Sequence, residues 1–132
     1  MTDTDNSFGC SECWPQEAEP AHKGLPALKI ETYLVDESHY IVTTRHCPRC
    51  SQKFLTVITE TVDFAGGEDP QQRIVMPITP KENELLQRNA QAISEALLES
   101  IGVGRRSLVY DHPSDRPALI HWGSGIHVRV HD

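Results

Sequence analysis

The sequence predicts an α+β protein: an antiparallel β-sheet with one main α-helix packed on it and a cysteine-rich end. Three observations lead there. Segments rich in β-branched and aromatic residues recur between short turn signals, one strong capping box announces a helix, and all four cysteines fall in two Cys-x-x-Cys units.

Residues 28 to 35 and 40 to 44 flank the turn-prone Asp36-Glu37-Ser38 and read as an antiparallel hairpin. The run 55 to 64 alternates Leu55, Val57, Thr59 and Thr61 against Thr56, Ile58, Glu60 and Val62, and Gly66 with Gly67 closes it. A short apolar strand follows at 73 to 78. Its Pro77 has no N–H to donate to a ladder and belongs at an edge or an end.

Thr79-Pro80-Lys81-Glu82 then offers an N-cap threonine, a proline at the first helical position and a glutamate at N3. Leu86, Ala90, Ile93, Leu97 and Ile101 continue at helical spacing, so one helix is expected from about 80 to 101, with Gly102 as its stop. Short strands at 108 to 110, 118 to 122 and 126 to 130 complete the sheet. In the last, Ile126, Val128 and Val130 should face one way and His127, Arg129 and His131 the other.

A single domain, 1 to 132, is expected, with a metal-binding β half at 1 to 66 and the helix and last strands at 73 to 132. Asp3, Asp5, Glu12, Glu17 and Glu19 make the first 20 residues an acidic arm, pinned where the first cysteine pair falls.

The net charge of −7 comes from 19 acidic and 12 basic residues. Such a surface repels phosphate backbones and anionic membranes, so neither is favoured as a partner. The opening MTDTDNSFGC has acids and no apolar run, and no segment reaches the roughly 18 apolar residues of a membrane-crossing helix. The expected location is the reducing cytoplasm, where structural disulfides do not persist and thiols serve as metal ligands or redox catalysts.

Zinc takes four tetrahedral ligands, and a Cys-x-x-Cys turn presents two sulfurs to one ion. Cys10, Cys13, Cys47 and Cys50 would therefore complete one Zn2+ site. The bare Cys-x2-Cys … Cys-x2-Cys pattern, with CPRC joining one β-like segment to another, resembles the zinc-ribbon class over roughly the first half of the chain. It departs in spacing: 33 residues separate Cys13 from Cys47, against the roughly 15 to 20 of compact pairs. An inserted 28-to-44 hairpin accounts for the excess.

Redox chemistry is the rival. An activated Cys-x-x-Cys thiolate sits at a helix N-terminus, whereas the residues after Cys50 are β-branched. A lone cysteine nucleophile would leave three thiols without a role. His46 is a fifth possible ligand, but four thiolates already saturate the metal.

Arg45, His46, Arg49 and Lys53 crowd the second pair. They read either as a nucleic-acid-contacting tip, extended by Arg105 and Arg106, or as cations that offset the dianionic charge of a Zn(Cys)4 centre. The acidic remainder favours the second reading. His112, His121, His127 and His131 raise a metal-dependent hydrolase, yet on a strand His127 and His131 lie ~13 Å apart, beyond one ion's span. No phosphate-loop or nucleophile-elbow motif occurs.

The sequence therefore points to a small cytoplasmic zinc-binding protein acting as a protein-interaction or regulatory accessory module, with an enzyme the less favoured reading and left open. Its partner would be another protein, contacted through the acidic arm and through Trp14 and Tyr40, unless those two rings are core.

Overall fold

The computed structural model describes residues 8–61, 69–114 and 116–131. Asp3, Asp5, Val62, Phe64, Gly66 and Gly67 lie outside the described residues. Six strands, β1 (Lys29–Glu37), β2 (Tyr40–His46), β3 (Lys53–Glu60), β4 (Gln71–Ile78), β5 (Arg106–His112) and β6 (Leu119–Ser124), form one antiparallel sheet in sequence order. Each strand pairs with its neighbour in the chain, so every connection is local. Three short helices accompany them, α1 (Ala18–Lys23), α2 (Pro80–Arg88) and α3 (Glu95–Ser100), with a 3-10 turn at Leu25–Ala27.

Strand alternation sends successive side chains to opposite faces, and both faces are apolar over part of the sheet. On the first, Val42, Leu55, Val57, Ile74, Met76 and Val109 form one buried cluster with Leu86 of α2, Leu98 of α3, Ile101 and Ile126. On the second, Phe54, Val75 and Leu108 cluster with Phe8, Trp14, Ala21, Leu25 and Leu28. Residues 8 to 28 are thus a covering segment for the second face. Pro77 lies beyond the stretch of β4 that pairs with β5, at a strand end as its missing N–H requires.

The expected capping box is present. Thr79 Oγ1 accepts from the Glu82 N–H at 3.1 Å, and Glu82 Oε1 accepts from the Thr79 N–H at 2.8 Å. The single helix from 80 to 101, however, is two helices separated by Asn89 to Ser94. Asn89 turns its side-chain amide back to the Leu85 carbonyl at 2.8 Å, and Ser94 Oγ accepts from the Leu97 N–H at 3.0 Å to start α3. Polar side chains that bond nearby backbone end helices in this way. The break also changes the buried residue. Leu98 is fully buried and Leu97 is half-buried, because a new helix axis need not continue the 3.6-residue register of the old one.

Residues 125 to 131 form no strand. Ile126 is buried as expected, but Val130 is 85% exposed, so the alternation expected there fails at its end. Trp14 and Tyr40, considered as contact surfaces, are 5% and 6% exposed and belong to the core. The helical content is smaller than expected and the sheet dominates.

Candidate metal centre

Two turns meet at one end of the sheet. The first belongs to the covering segment, where the Trp14 N–H donates to the Cys10 carbonyl at 2.9 Å and closes Cys10-Ser11-Glu12-Cys13. Before it, Gly9 has φ +68°, and a Cβ there would meet Trp14 Cβ at 2.8 Å and Cys13 Sγ at 2.9 Å. Only glycine fits so close an approach. The second turn joins β2 to β3. The Ser51 N–H donates to the Cys47 carbonyl at 2.8 Å and the Cys47 N–H to the Gln52 carbonyl at 2.9 Å, which folds CPRC back on itself while Ser51 takes the left-handed region at φ 68°.

The four sulfurs converge. Cys10 Sγ lies 3.6 Å from Cys13 Sγ and 3.9 Å from Cys47 Sγ, and Cys13 Sγ lies 3.6 Å from Cys50 Sγ. All four atoms fall within 4.8 Å of one another. The cysteines are free thiols, and the set could hold a metal ion. Among the described residues it is the only group of three or more His, Cys, Asp or Glu side chains close enough to do so.

The electrostatics of the bare thiols favour a cation. The Cys13 backbone N–H brings the Cys10 thiol down to about 7, against the opposing effect of burial. Burial pushes the Cys13 thiol well up, and neighbouring thiols add to the shift; burial also raises Cys50. One thiolate forms readily there, and further negative charge needs a positive partner.

Side chains around the turns hold them together. Gln52 accepts from the Gly9 N–H at 3.0 Å and donates to the carbonyls of Lys53 and Ile78 at 2.8 and 2.9 Å, tying the first turn to β3 and β4. Arg49 pairs with Glu12 across the two turns at 2.7 Å. Lys53 pairs with Glu31 at 2.8 Å, and His46 lies 3.1 Å from the same carboxylate. Arg105 is 8% exposed. It forks onto Glu82, donates to the Pro77 carbonyl and stacks over Phe8 at 4.6 Å. Arg106 lies over Trp122 at 3.7 Å and Trp14 at 5.1 Å while donating to the Pro15 and Gln16 carbonyls. Of the cations considered as a nucleic-acid tip, only Arg45 makes no ion pair or cation–π contact among the described residues. Arg105 is withdrawn from the surface.

The carboxyl-terminal histidines do not gather. His121 Nδ1 bonds the Trp122 carbonyl at 3.2 Å, His127 Nε2 the Ser124 carbonyl at 2.9 Å, and His131 pairs with Glu95 at 3.1 Å while stacking on Tyr40. His112 stands edge-on to Tyr110. Sequence reasoning named the four sulfurs but missed Gly9, Gln52 and the Trp14–Arg106–Trp122 stack. A glycine directly before a Cys-x-x-Cys pair was a usable signal for the first; the others depend on distant partners.

No family model, curated protein or solved structure matches the chain. No helix among the described residues is long and apolar enough to cross a membrane.

Proposed function

We propose that Cys10, Cys13, Cys47 and Cys50 hold one Zn2+ as a structural site in a small cytoplasmic protein that acts as a protein-interaction or regulatory accessory module. The observation that carries this reading is the convergence of four sulfurs from two turns 37 residues apart. Thiolates ~2.3 Å from a tetrahedral ion sit ~3.8 Å from each other, close to the 3.6 to 3.9 Å found here. Soft thiolate ligands select zinc among common divalent ions. The Cys10 N–H directed at Cys13 Sγ, 3.2 Å away, suits a charged sulfur.

Four protein ligands leave no open position for water or substrate, which favours a structural role over a catalytic one. A bound ion would offset the thiolate charge and join the covering segment to the β2–β3 turn. The zinc-ribbon likeness extends to this second turn, which joins two paired strands; the first lies in the covering segment instead. Free thiols agree with a reducing compartment. Exposed Ile30 and Tyr33 on edge strand β1 and Leu119 on edge strand β6 offer apolar contact to a partner.

Elemental analysis of native protein with thiol titration tests the metal assignment. One zinc per chain, with four thiols that react only after the ion is stripped, is expected. Protein purified without reductant that carries no metal and has disulfides in its place would overturn it.

A further inference from the structure

The two edges of the sheet are guarded unequally. At one edge, β1 carries charge at Lys29, Glu31, Asp36 and Glu37 and shifts register against β2 twice, between Ile30 and Thr32 and between Tyr33 and Val35. Charge and bulges are means by which an edge strand refuses a further strand. At the other edge, β6 (Leu119–Ser124) contains no Asp, Glu, Lys, Arg or Pro and keeps one register with β5, from Leu119 opposite Asp111 to Ser124 opposite Arg106. Neither device protects it.

Hydrogen-bond alternation fixes what β6 turns outward. The Gly125 N–H donates to the Arg105 carbonyl at 2.7 Å, one step beyond the pair Ser124 and Arg106. Hydrogen-bonded pairs then recur at every second position, at Gly123 with Ser107, His121 with Val109 and Leu119 with Asp111. The Pro77 carbonyl, which accepts from Arg105 at 3.0 Å on the β5 side of β4, fits the same alternation. The N–H and carbonyl groups of Ile120, Trp122 and Ser124 therefore face away from β5. Two of these carbonyls are met by imidazoles from the same chain, Trp122 by His121 Nδ1 at 3.2 Å and Ser124 by His127 Nε2 at 2.9 Å. Among the described residues nothing accepts from the three N–H groups. Leu119 on the same strand is 62% exposed. A row of unused donors beside an exposed apolar side chain is a template for another strand.

We propose that β6 pairs antiparallel with β6 of a second copy, joining two six-stranded sheets into one across a twofold axis. A twofold contact needs a surface compatible with itself. In a chain of net charge −7, an edge without fixed charge is where two copies can meet without setting like charges opposite each other. Outward-facing residues must meet outward-facing residues, and the register centred on His121 satisfies this by setting Ile120 opposite Trp122 of the second copy. A β-branched side chain against an aromatic one is a favourable cross-strand pair. The same register sets exposed Leu119 opposite the second copy's Gly123, which has no side chain to obstruct it. Edges of this length cover less than the roughly 1,000 Å2 of a permanent interface, so the dimer is weak, with a Kd on the order of 100 μM. Dimerisation of this kind does not require the ion.

Sedimentation equilibrium of the full chain from about 10 μM to about 1 mM, with amide hydrogen exchange read by NMR at both ends of that range, tests the pairing. A monomer–dimer equilibrium is expected. The Ile120 and Trp122 amides should exchange about fivefold more slowly at the high concentration, while those of His121 and Gly123, which face β5, stay slow at both. Ile120→Pro removes an outward N–H and no bond to β5, and His121→Lys sets two ammonium groups opposite each other; each should weaken dimerisation about tenfold or more with the circular dichroism of the monomer unchanged. Should Ile120→Pro fail to fold, His121→Lys decides, since its side chain is exposed. Tyr33→Lys, at an exposed position of β1, should leave dimerisation unchanged. A chain still monomeric at about 1 mM overturns the proposal and leaves this edge to a strand from another protein. A dimer that ignores both β6 substitutions, that Tyr33→Lys abolishes, or that forms without slowing the Ile120 and Trp122 amides also overturns it.

Discussion

Gly9→Ala and Gly104→Ala form a matched pair that isolates the role of close packing beside the sulfurs. Both glycines have positive φ, +68° and +82°, so alanine at either costs about 1 to 2 kcal/mol for the left-handed backbone. They differ in what a methyl group meets. At Gly104 nothing lies within 4 Å, whereas at Gly9 the Cβ would lie 2.8 Å from Trp14 Cβ and 2.9 Å from Cys13 Sγ. Relief to ordinary contact requires a movement of about half an ångström or more. Trp14 is hemmed by Phe54 at 5.6 Å and Trp122 at 4.9 Å, so the displacement falls on Cys13, whose sulfur must stay near the other three. Overpacking of this kind costs about 1 to 3 kcal/mol beyond the backbone strain. Gly9→Ala should therefore lose about 2 to 5 kcal/mol in urea unfolding and bind zinc at least tenfold more weakly in chelator competition. Gly104→Ala should lose only the backbone component and keep its metal affinity. Equal metal affinity in the two variants would refute the reasoning.

If the four cysteines hold the proposed ion, its removal by chelation or by Cys47→Ser should release residues 8 to 28 first. Hydrogen exchange should then show lost protection there while β3 and β4 stay protected; simultaneous loss everywhere would deny the covering segment any independence. Zinc affinity should fall as the solution is acidified. Cys13 and Cys50 are raised above the usual thiol range, so both hold protons throughout pH 6 to 8 and the metal must displace them. Those two protons alone give a slope of at least about a hundredfold per pH unit, steeper below about 7 where Cys10 also protonates. Glu82→Gln can keep the capping box but discharges the partner of buried Arg105, and should cost about 3 kcal/mol in denaturant unfolding, with Glu82→Ala about 1 kcal/mol worse. Leu98→Ala should cost about 2 to 5 kcal/mol and Leu97→Ala less than about 1, which checks the helix break by the same assay.

Features set by short-range chemistry were legible in the sequence. The capping box at Thr79 to Glu82, the strand-end position of Pro77 and the two cysteine turns each depend on a few adjacent residues. The helix break was less visible. Ala90 and Ile93 keep an apolar spacing through it, and only Asn89 and Ser94, residues that bond their own backbone, mark the interruption. The covering of the second sheet face could not be read locally, since Trp14 and Phe8 look like exposed aromatics in an acidic arm until Phe54, Val75 and Leu108 arrive from distant strands. The same holds for Arg106, whose partners Trp14 and Trp122 stand on opposite sides of it in the chain. Sequence charge alone also did not show how the cations near the second turn are paired, because their carboxylate partners Glu12 and Glu31 are far away along the chain and near only in space.

The two faces of the sheet are closed by different means, and this bears on why four thiols sit where they do. On the first face, α2 and α3 follow β4 directly, carry their own caps and bury Leu86 and Leu98, so local structure and burial suffice. On the second, the cover is a segment whose only regular structure is the six-residue α1 and a 3-10 turn. A helix that short is not stable by itself. Its apolar anchors must be held against the sheet from both directions along the chain. Beyond α1 the chain enters β1, which supplies one tether; before α1 there is no strand among the described residues to supply the other. The cysteine turn stands at that position, joined to the β2–β3 turn by convergent sulfurs, by Gln52 and by Arg49 with Glu12. A cross-link is needed where the sheet cannot provide one, and a metal ion held by the four cysteines would have a structural reason to sit there.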